Sequence, residues 1–144
     1  MASLEACKQY ASRIEIFKGL SAEDVQGILK LGQMMEFHQG QTIFHEGTLG
    51  SNLFIILKGE VNIYRRVTEI ATLKVGETFG EMALLNEGPR IATASAKTDV
   101  RLFTLNEDQI KTILKTPNGV KLLLNFIHVL SDRLAEANAK LAQR

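Results

Sequence analysis

The sequence reads as mainly β with flanking helices: residues 34–105 form a small antiparallel roll or jelly roll, and the residues on either side are helical. Two observations predict this. Gly40, Gly47, Gly50, Gly59, Gly76, Gly80 and Gly88 cut the middle of the chain into short runs rich in Ile, Val, Phe, Leu and Thr, the pattern of many short strands. At both ends the apolar residues recur instead at the spacing of one helical face. Short strands at regular intervals protect their edges by wrapping into two facing sheets, so a roll is expected in place of a flat open sheet.

A first short helix is expected from Leu4 to about Arg13. Ser21 caps a second, with Glu23 and Asp24 in its first turn, Val25, Ile28 and Leu29 on one face, and Gly32 just past its end. The clearest strands are Thr42 to His45, Leu53 to Leu57, Val61 to Arg65, Ile70 to Leu73, Ile91 to Ala96 and Val100 to Leu105. Lys58-Gly59 predicts a tight hairpin between the second and third of these, with Val61 and Ile63 facing one way and Asn62 and Tyr64 the other.

Helix returns after Leu105. Asn106 and Gln109 resemble a capping box, opening a short helix through Ile110, Ile113 and Leu114. Pro117 stands near the first position of a longer final helix, where its missing N–H is harmless. In that helix Val120, Ile127, Leu134 and Leu141 follow a heptad spacing, with Leu123, Leu130 and Ala137 at the matching positions between them. This apolar seam is a candidate homodimer contact, with packing on its own domain as the alternative. Leu122, Phe126, Val129 and Arg133 form a second, offset stripe that needs a different partner.

A chain of 144 residues is the size of one domain, divided here into residues 1–33 (helices), 34–105 (roll) and 106–144 (helices). Lys and Arg number 17 against 16 Asp and Glu, scattered to a net charge of +1, which argues against nucleic acid as a partner of this chain. No apolar run approaches the ~18 residues of a membrane span, and the start MASLEACKQY lacks the features of a signal peptide. A cytoplasmic protein with no membrane partner is expected. Cys7, the single cysteine, excludes an internal disulfide and a cysteine-built metal site, and is expected as a small buried residue on a helix. His38, His45 and His128 lack metal-site spacing. G-x-S-x-G is absent. Arg65-Arg66 beside Glu69 reads as a solvated hairpin tip.

The stretch GETFGEMALLNEGPRIATA, from Gly76 to Ala94, has the parts of an anion pocket. A strand ends at Phe79, Gly80 lets a ligand approach the backbone, and Glu81 to Asn86 has the composition of one or two helical turns. The first N–H groups of such a helix, with the positive end of its dipole, favour a phosphate. Arg90 adds a full charge and can grip two phosphate oxygens. Pro89 stiffens the backbone before it and Ile91 begins a strand. Glu81 would repel a phosphate unless it accepts a hydrogen bond from a neighbouring sugar hydroxyl, as acidic residues do in other nucleotide sites. Without a G-x-x-x-x-G-K-[ST] lysine or evident magnesium carboxylates, these parts suit a singly charged cyclic phosphodiester better than a triphosphate. Taken one at a time, Gly80 is equally a turn, Glu81 a solvated acid and Arg90 a surface residue.

Phe79-Gly80-Glu81-Met82-Ala83-Leu84-Leu85 followed by Pro89-Arg90-Ile91-Ala92-Thr93 resembles the phosphate-binding cassette of the cyclic nucleotide-binding domain family, in which F-G-E-[LIM]-A-L-L, a short insert and P-R-x-A-T recur. The likeness extends to Ile16-Phe17-Lys18-Gly19-Leu20-Ser21, to Gly40 through Gly47 and to Leu53 through Val61. By this resemblance to catabolite activators and protein kinase A regulatory subunits, the fold is an eight-stranded antiparallel β-roll with N-terminal helices and a long C-terminal helix. Residues 79–93 are then the cassette. Glu81 takes the ribose 2′-hydroxyl, Arg90 the cyclic phosphate, and backbone groups around Gly80, Met82, Ala83, Ile91 and Ala92 complete the cradle.

Family members that favour cGMP often carry Thr or Ser after the arginine. Ile91 stands there in this chain, so cAMP is the expected ligand and cGMP the alternative. Members that are transcription factors continue into a helix-turn-helix domain, whereas this sequence ends at Arg144, as a free-standing sensor or one cut from a larger protein would. The resemblance thus implies a non-enzymatic regulatory module without metal or cofactor. It would pair through its final helix and signal to an unidentified downstream protein by moving that helix over the base, with Phe126, Val129 or Arg133 as cap. The alternatives are a nucleotide-independent interaction module of the same fold, or the sensor part of a transcription factor or channel.

Overall fold

A sheet buried on both faces organises the molecule. The computed structural model describes residues 3–80 and 88–143. Helix α1 (Leu4–Arg13), a 3-10 turn (Glu15–Phe17) and α2 (Ala22–Leu31) precede β1 (Gln33–Phe37), β2 (Thr42–Phe44), β3 (Leu53–Lys58), β4 (Val61–Arg65), β5 (Thr68–Leu73), β6 (Thr78–Phe79), β7 (Thr93–Ala96) and β8 (Val100–Leu105). Helices α3 (Glu107–Leu114) and α4 (Gly119–Ala142) follow. The strands make two antiparallel sheets, ordered β1-β8-β3-β6 and β2-β7-β4-β5. This is the eight-stranded roll with flanking helices that the sequence predicts.

The unbroken apolar run of β3 follows from its place between two cores. Phe54 and Ile56 turn into the roll beside Val61, Phe79, Ala94 and Leu102, while Ile55 and Leu57 turn outward onto Phe17, Val25, Ile28, Phe103 and Ile113 of the helical layer. Strand β8 alternates in the same way. A strand buried on both sides loses polar alternation and reads as a continuous hydrophobic run. The outer sheet keeps the alternation: Val61 and Ile63 pack inward, whereas Asn62, Tyr64 and Thr72 hydrogen-bond to one another on the other face.

The local signals at the helix ends hold. Ser21 with Asp24, and Asn106 with Gln109, form reciprocal capping boxes. Cys7 is buried on α1, and that burial pushes its thiol above the ordinary value. Gly32 ends α2 in extended backbone; it is needed for space, since a Cβ there would lie 2.6 Å from the Thr104 carbonyl and against the Phe103 ring.

Four expectations change. Lys58-Gly59 is not a hairpin: β3 and β4 belong to different sheets, so the turn is a corner. Gly59, at φ 88, passes so close to the 98–99 segment that a Cβ would collide with the Asp99 carbonyl. Glu60 is pinned there by its N–H to Thr98 Oγ1 and its carbonyl to Lys97 N–H. The tight hairpin is instead β4–β5, turning through Arg66 and Val67, with Arg66 in the left-handed region at φ 59 and its N–H held by Glu46 Oε1 at 2.8 Å. The strand expected at Ile91 starts at Thr93. Helix α4 starts at Gly119 behind Asn118, leaving Pro117 in the preceding turn. Strand β1, pairing with β8 along its length, was not among the strands singled out.

The first half of α4 is fastened to the N-terminal layer. Lys121 Nζ donates to the Gly19 carbonyl at 3.0 Å, and Asn125 Nδ2 to those of Ile16 and Lys18 at 2.9 and 2.8 Å. The Asp24 carboxyl is held below the ordinary carboxylate range by the Ser21 N–H, the Asn118 side chain and the Lys121 charge. A group with a lowered folded-state pKa adds stability that is present above the unfolded value of about 3.9 and lost as pH falls through the folded one. Asp24→Asn is therefore expected to lower the urea midpoint at pH 7, and the gap between the two proteins is expected to narrow as acid protonates Asp24 below the ordinary carboxylate range.

Candidate functional site

Arg90 is a charged side chain built into a wall. Only 6% of it is exposed. Its backbone is bridged to the 47–48 turn in both directions, with Gly47 N–H donating to the Arg90 carbonyl at 2.7 Å and Arg90 N–H to the Thr48 carbonyl at 2.8 Å. Leu49 and Pro89 extend that bridge by one residue pair. The rigid junction expected at Arg90 thus exists, but cross-chain bridges make it in place of a strand starting at Ile91.

The guanidinium is held equally firmly. Nη1 donates to the Gly80 carbonyl at 3.0 Å and Nη2 to the Asn52 carbonyl at 3.1 Å, while Cζ lies 4.2 Å from the centroid of the Phe44 ring and 5.7 Å from that of Phe54. Removing a guanidinium from water is costly unless donors and charge find partners, and two carbonyls with an aromatic face supply them. Phe44, Phe54 and Phe79 form one cluster, with Phe54 and Phe79 stacked at 5.1 Å. In such low-polarity surroundings a positive charge is weakly screened and acts strongly on an anion brought beside it.

Two glycines make room. A Cβ on Gly50 would stand 2.9 Å from Nε and Nη2 of Arg90; one on Gly80 would stand 2.8 Å from both Nη1 and the Asn52 carbonyl. Gly80 also lies at φ 85, in the left-handed region that side chains disfavour.

Arg90 lines a cavity of about 420 Å³, within the size range of small-molecule sites. Phe44 of β2, Ile63 of β4, and Ile70 and Leu73 of β5 form one side; Thr78 and Phe79 of β6 with Gly80 form another. The segment from Gly88 to Ala92 and Arg133 of α4 complete the described lining. Arg133 Nη2 donates to the Thr78 carbonyl at 2.6 Å and lies 3.3 Å from Thr78 Oγ1. Most of the lining is apolar, with arginines from two different elements facing in.

Of the site residues expected from sequence, Gly80, Arg90, Ile91 and Ala92 come together around this cavity, Ile91 half open to solvent and Ala92 buried. Glu81, Met82 and Ala83, with the helical turns expected from Glu81 to Asn86, lie outside the described residues. Sequence reasoning missed Phe44, Gly50, Asn52 and Thr78. Gly50 stood out only as a loop glycine, and nothing local marks a carbonyl 38 residues away as a partner of Arg90. The histidines stand apart, His38 near Asp99 and His128 near Asp132 one helical turn on. Among the described residues no helix is long and apolar enough to cross a membrane.

The model of the cyclic nucleotide-binding domain matches residues 34–117, which hold the strands, the cavity lining other than Arg133, and α3. The chain belongs to this family. The cyclic AMP receptor protein of Thermus thermophilus is 36% identical over 132 residues, covering 88% of this chain and 60% of that protein. A cGMP-dependent protein kinase of Eimeria tenella is 36% identical over 106 residues, covering 73% of this chain and 11% of the kinase. Among solved structures, a cyclic nucleotide-binding domain from Methylobacillus flagellatus superposes with a TM-score of 0.81 at 25% identity, covering 96% of this chain and 82% of that one. The chain therefore spans about three fifths of the length of the Thermus relative.

In this cyclic nucleotide-binding domain Arg90 sits in a wall shaped by Gly50 and Gly80. Gly80→Ala is expected to cost about 1–3 kcal/mol, from backbone strain at positive φ and the clash with the Asn52 carbonyl; chemical denaturation measures it.

Proposed function

We propose that this domain is a cyclic mononucleotide sensor, with cAMP its preferred ligand. The observation that carries the reading is the nearly buried guanidinium of Arg90 at the wall of an otherwise largely apolar cavity. The cyclic phosphate meets Arg90 and the backbone of Gly80, Met82, Ala83, Ile91 and Ala92, the ribose 2′-hydroxyl donates to Glu81, and the base lies against Ile63, Ile70 and Leu73. One negative charge suits one guanidinium. Ile91, without a hydroxyl to offer a guanine, and the name of the Thermus relative support cAMP; the name of the Eimeria kinase keeps cGMP as the comparison. The domain works as a regulator without catalysis, metal or cofactor, in the cytoplasm.

Signalling runs through α4. Leu122 and Val129 are buried on its inner stripe and Arg133 reaches Thr78, so a ligand that favours one placement of α4 shifts the helix by its difference in affinity between placements. On the stripe offset from it Val120, Leu123, Ile127, Leu134 and Leu141 are 44–66% exposed. That run of apolar side chains, on a helix of 24 residues, supports a homodimer formed through the heptad seam. The downstream partner is read from this moving face.

Two measurements test the proposal. Calorimetry with cAMP and cGMP should give tighter binding for cAMP, and Arg90→Ala should weaken it by about 2–5 kcal/mol, because a buried phosphate loses its paired charge; equal affinity in the variant removes Arg90 from the role. Sedimentation should show a dimer in the parent and a monomer when Ile127 and Leu134 are both replaced by Glu. A parent that stays monomeric at high concentration rules out the seam.

A further inference from the structure

Strand β6 joins two arginines. At one end the Gly80 carbonyl accepts from Arg90 Nη1 at 3.0 Å; at the other the Thr78 carbonyl accepts from Arg133 Nη2 at 2.6 Å. Only Phe79 lies between. The strand has two residues, paired with Phe54 and Ile55, and is anchored at its start by the Ile56 N–H on the Glu77 carbonyl at 3.0 Å, so Thr78 to Gly80 is a short bar. Thr78 is 1% exposed, which shields the Arg133 contact from competing water.

Along α4 this contact occupies a particular place. The first half is fixed to the N-terminal layer through Lys121 and Asn125. Arg133 is the last residue of the helix that is not exposed; from Leu134 to Ala142 every residue faces solvent. The position of the outer helical turns relative to the roll is therefore decided where Arg133 meets Thr78.

We infer that Arg133 is a positioning residue: through the Thr78 carbonyl it ties the outer half of α4 to the strand that leads into Gly80, so nucleotide occupancy and helix position control each other. The inference rests on the cyclic-nucleotide reading given above. A phosphate arriving at Arg90 competes with the Gly80 carbonyl for the same guanidinium. Any turn of the Gly80 peptide is passed through Phe79 to the Thr78 carbonyl, because so short a strand cannot absorb it. By reciprocity, an α4 released from Thr78 weakens the ligand.

The test uses the full chain, cAMP at concentrations that saturate each protein, hydrogen exchange of the α4 amides and calorimetry. In the parent, cAMP should slow exchange from Arg133 to Ala142. Arg133→Gln should lose that slowing and bind about tenfold more weakly, as the loss of one charged hydrogen bond implies. Arg133→Lys, a single-point donor, should recover part of both. Asn125→Ala cuts the other tether and should keep the parent's ligand-dependent slowing. Arg133→Met preserves the stem and replaces the Gln variant if that one fails to fold. An Arg133→Gln or Arg133→Met variant that binds within twofold of the parent and slows equally overturns the coupling and leaves the binding reading standing. A parent that binds no cyclic nucleotide removes both.

Discussion

A single positive charge kept out of water sets the terms for the rest of this domain. The guanidinium of Arg90 can stay in an aromatic wall only because its donors meet two carbonyls and its face meets Phe44. Each partner imposes its own condition. The carbonyls of Asn52 and Gly80 approach from the ends of the neighbouring strands β3 and β6 of one sheet, which requires those two strands to keep their register. Phe44 must bring its ring within 4.2 Å of the Arg90 Cζ from β2, which pairs with β7. Gly50 and Gly80 must lack side chains. The backbone at Arg90 cannot drift, since the 47–48 turn bridges it twice. The roll can thus be understood as the scaffold that makes one buried cation tolerable.

The second constraint is that the site and the helices share a sheet. Strands β3 and β8 have one face in each core: Phe54 supports the cluster under Arg90, while its neighbour Ile55 packs on the helical layer. A shift of β3 is felt on both sides, because close-packed interiors transmit displacement and do not absorb it. Helix α4 closes the circuit from outside, fastened to the N-terminal turn by Asn125 and to the roll by Arg133.

Much of this was legible in the sequence, for physical reasons that differ by element. Capping boxes are local, so Ser21–Asp24 and Asn106–Gln109 could be read directly, as could the two stripes of α4, whose period is set by the helix itself. The cassette pattern around Arg90 pointed to this cavity wall through resemblance. What failed was non-local. Gly59 has the composition of a hairpin, yet the strands beside it pair with Leu73, Ala96 and Arg101 at distant points of the chain, and turn chemistry cannot say which sheet the next strand joins. Arg66 has no turn signature, because its positive φ is held by Glu46 from another loop. Asn52 contributes a carbonyl, a group that every residue carries and no sequence pattern marks.

The same reasoning explains why α4 carries two unlike faces. A helix that only completed the fold would need its inner stripe alone, and the other side would be polar. Instead Leu123, Ile127 and Leu130 also line an apolar groove of about 350 Å³ with Ile110, Ile113 and Leu114 of α3, and the heptad seam runs outward from that groove to Leu141. The inner stripe and the seam are displaced around one rigid cylinder, so the placement that Arg133 and Val129 adopt against the roll also sets the direction in which Ile127 and Leu134 point. On the reading proposed above, a change at the cavity that reaches Arg133 through Thr78 and a change at the outer surface would be a single rotation or tilt seen from two sides.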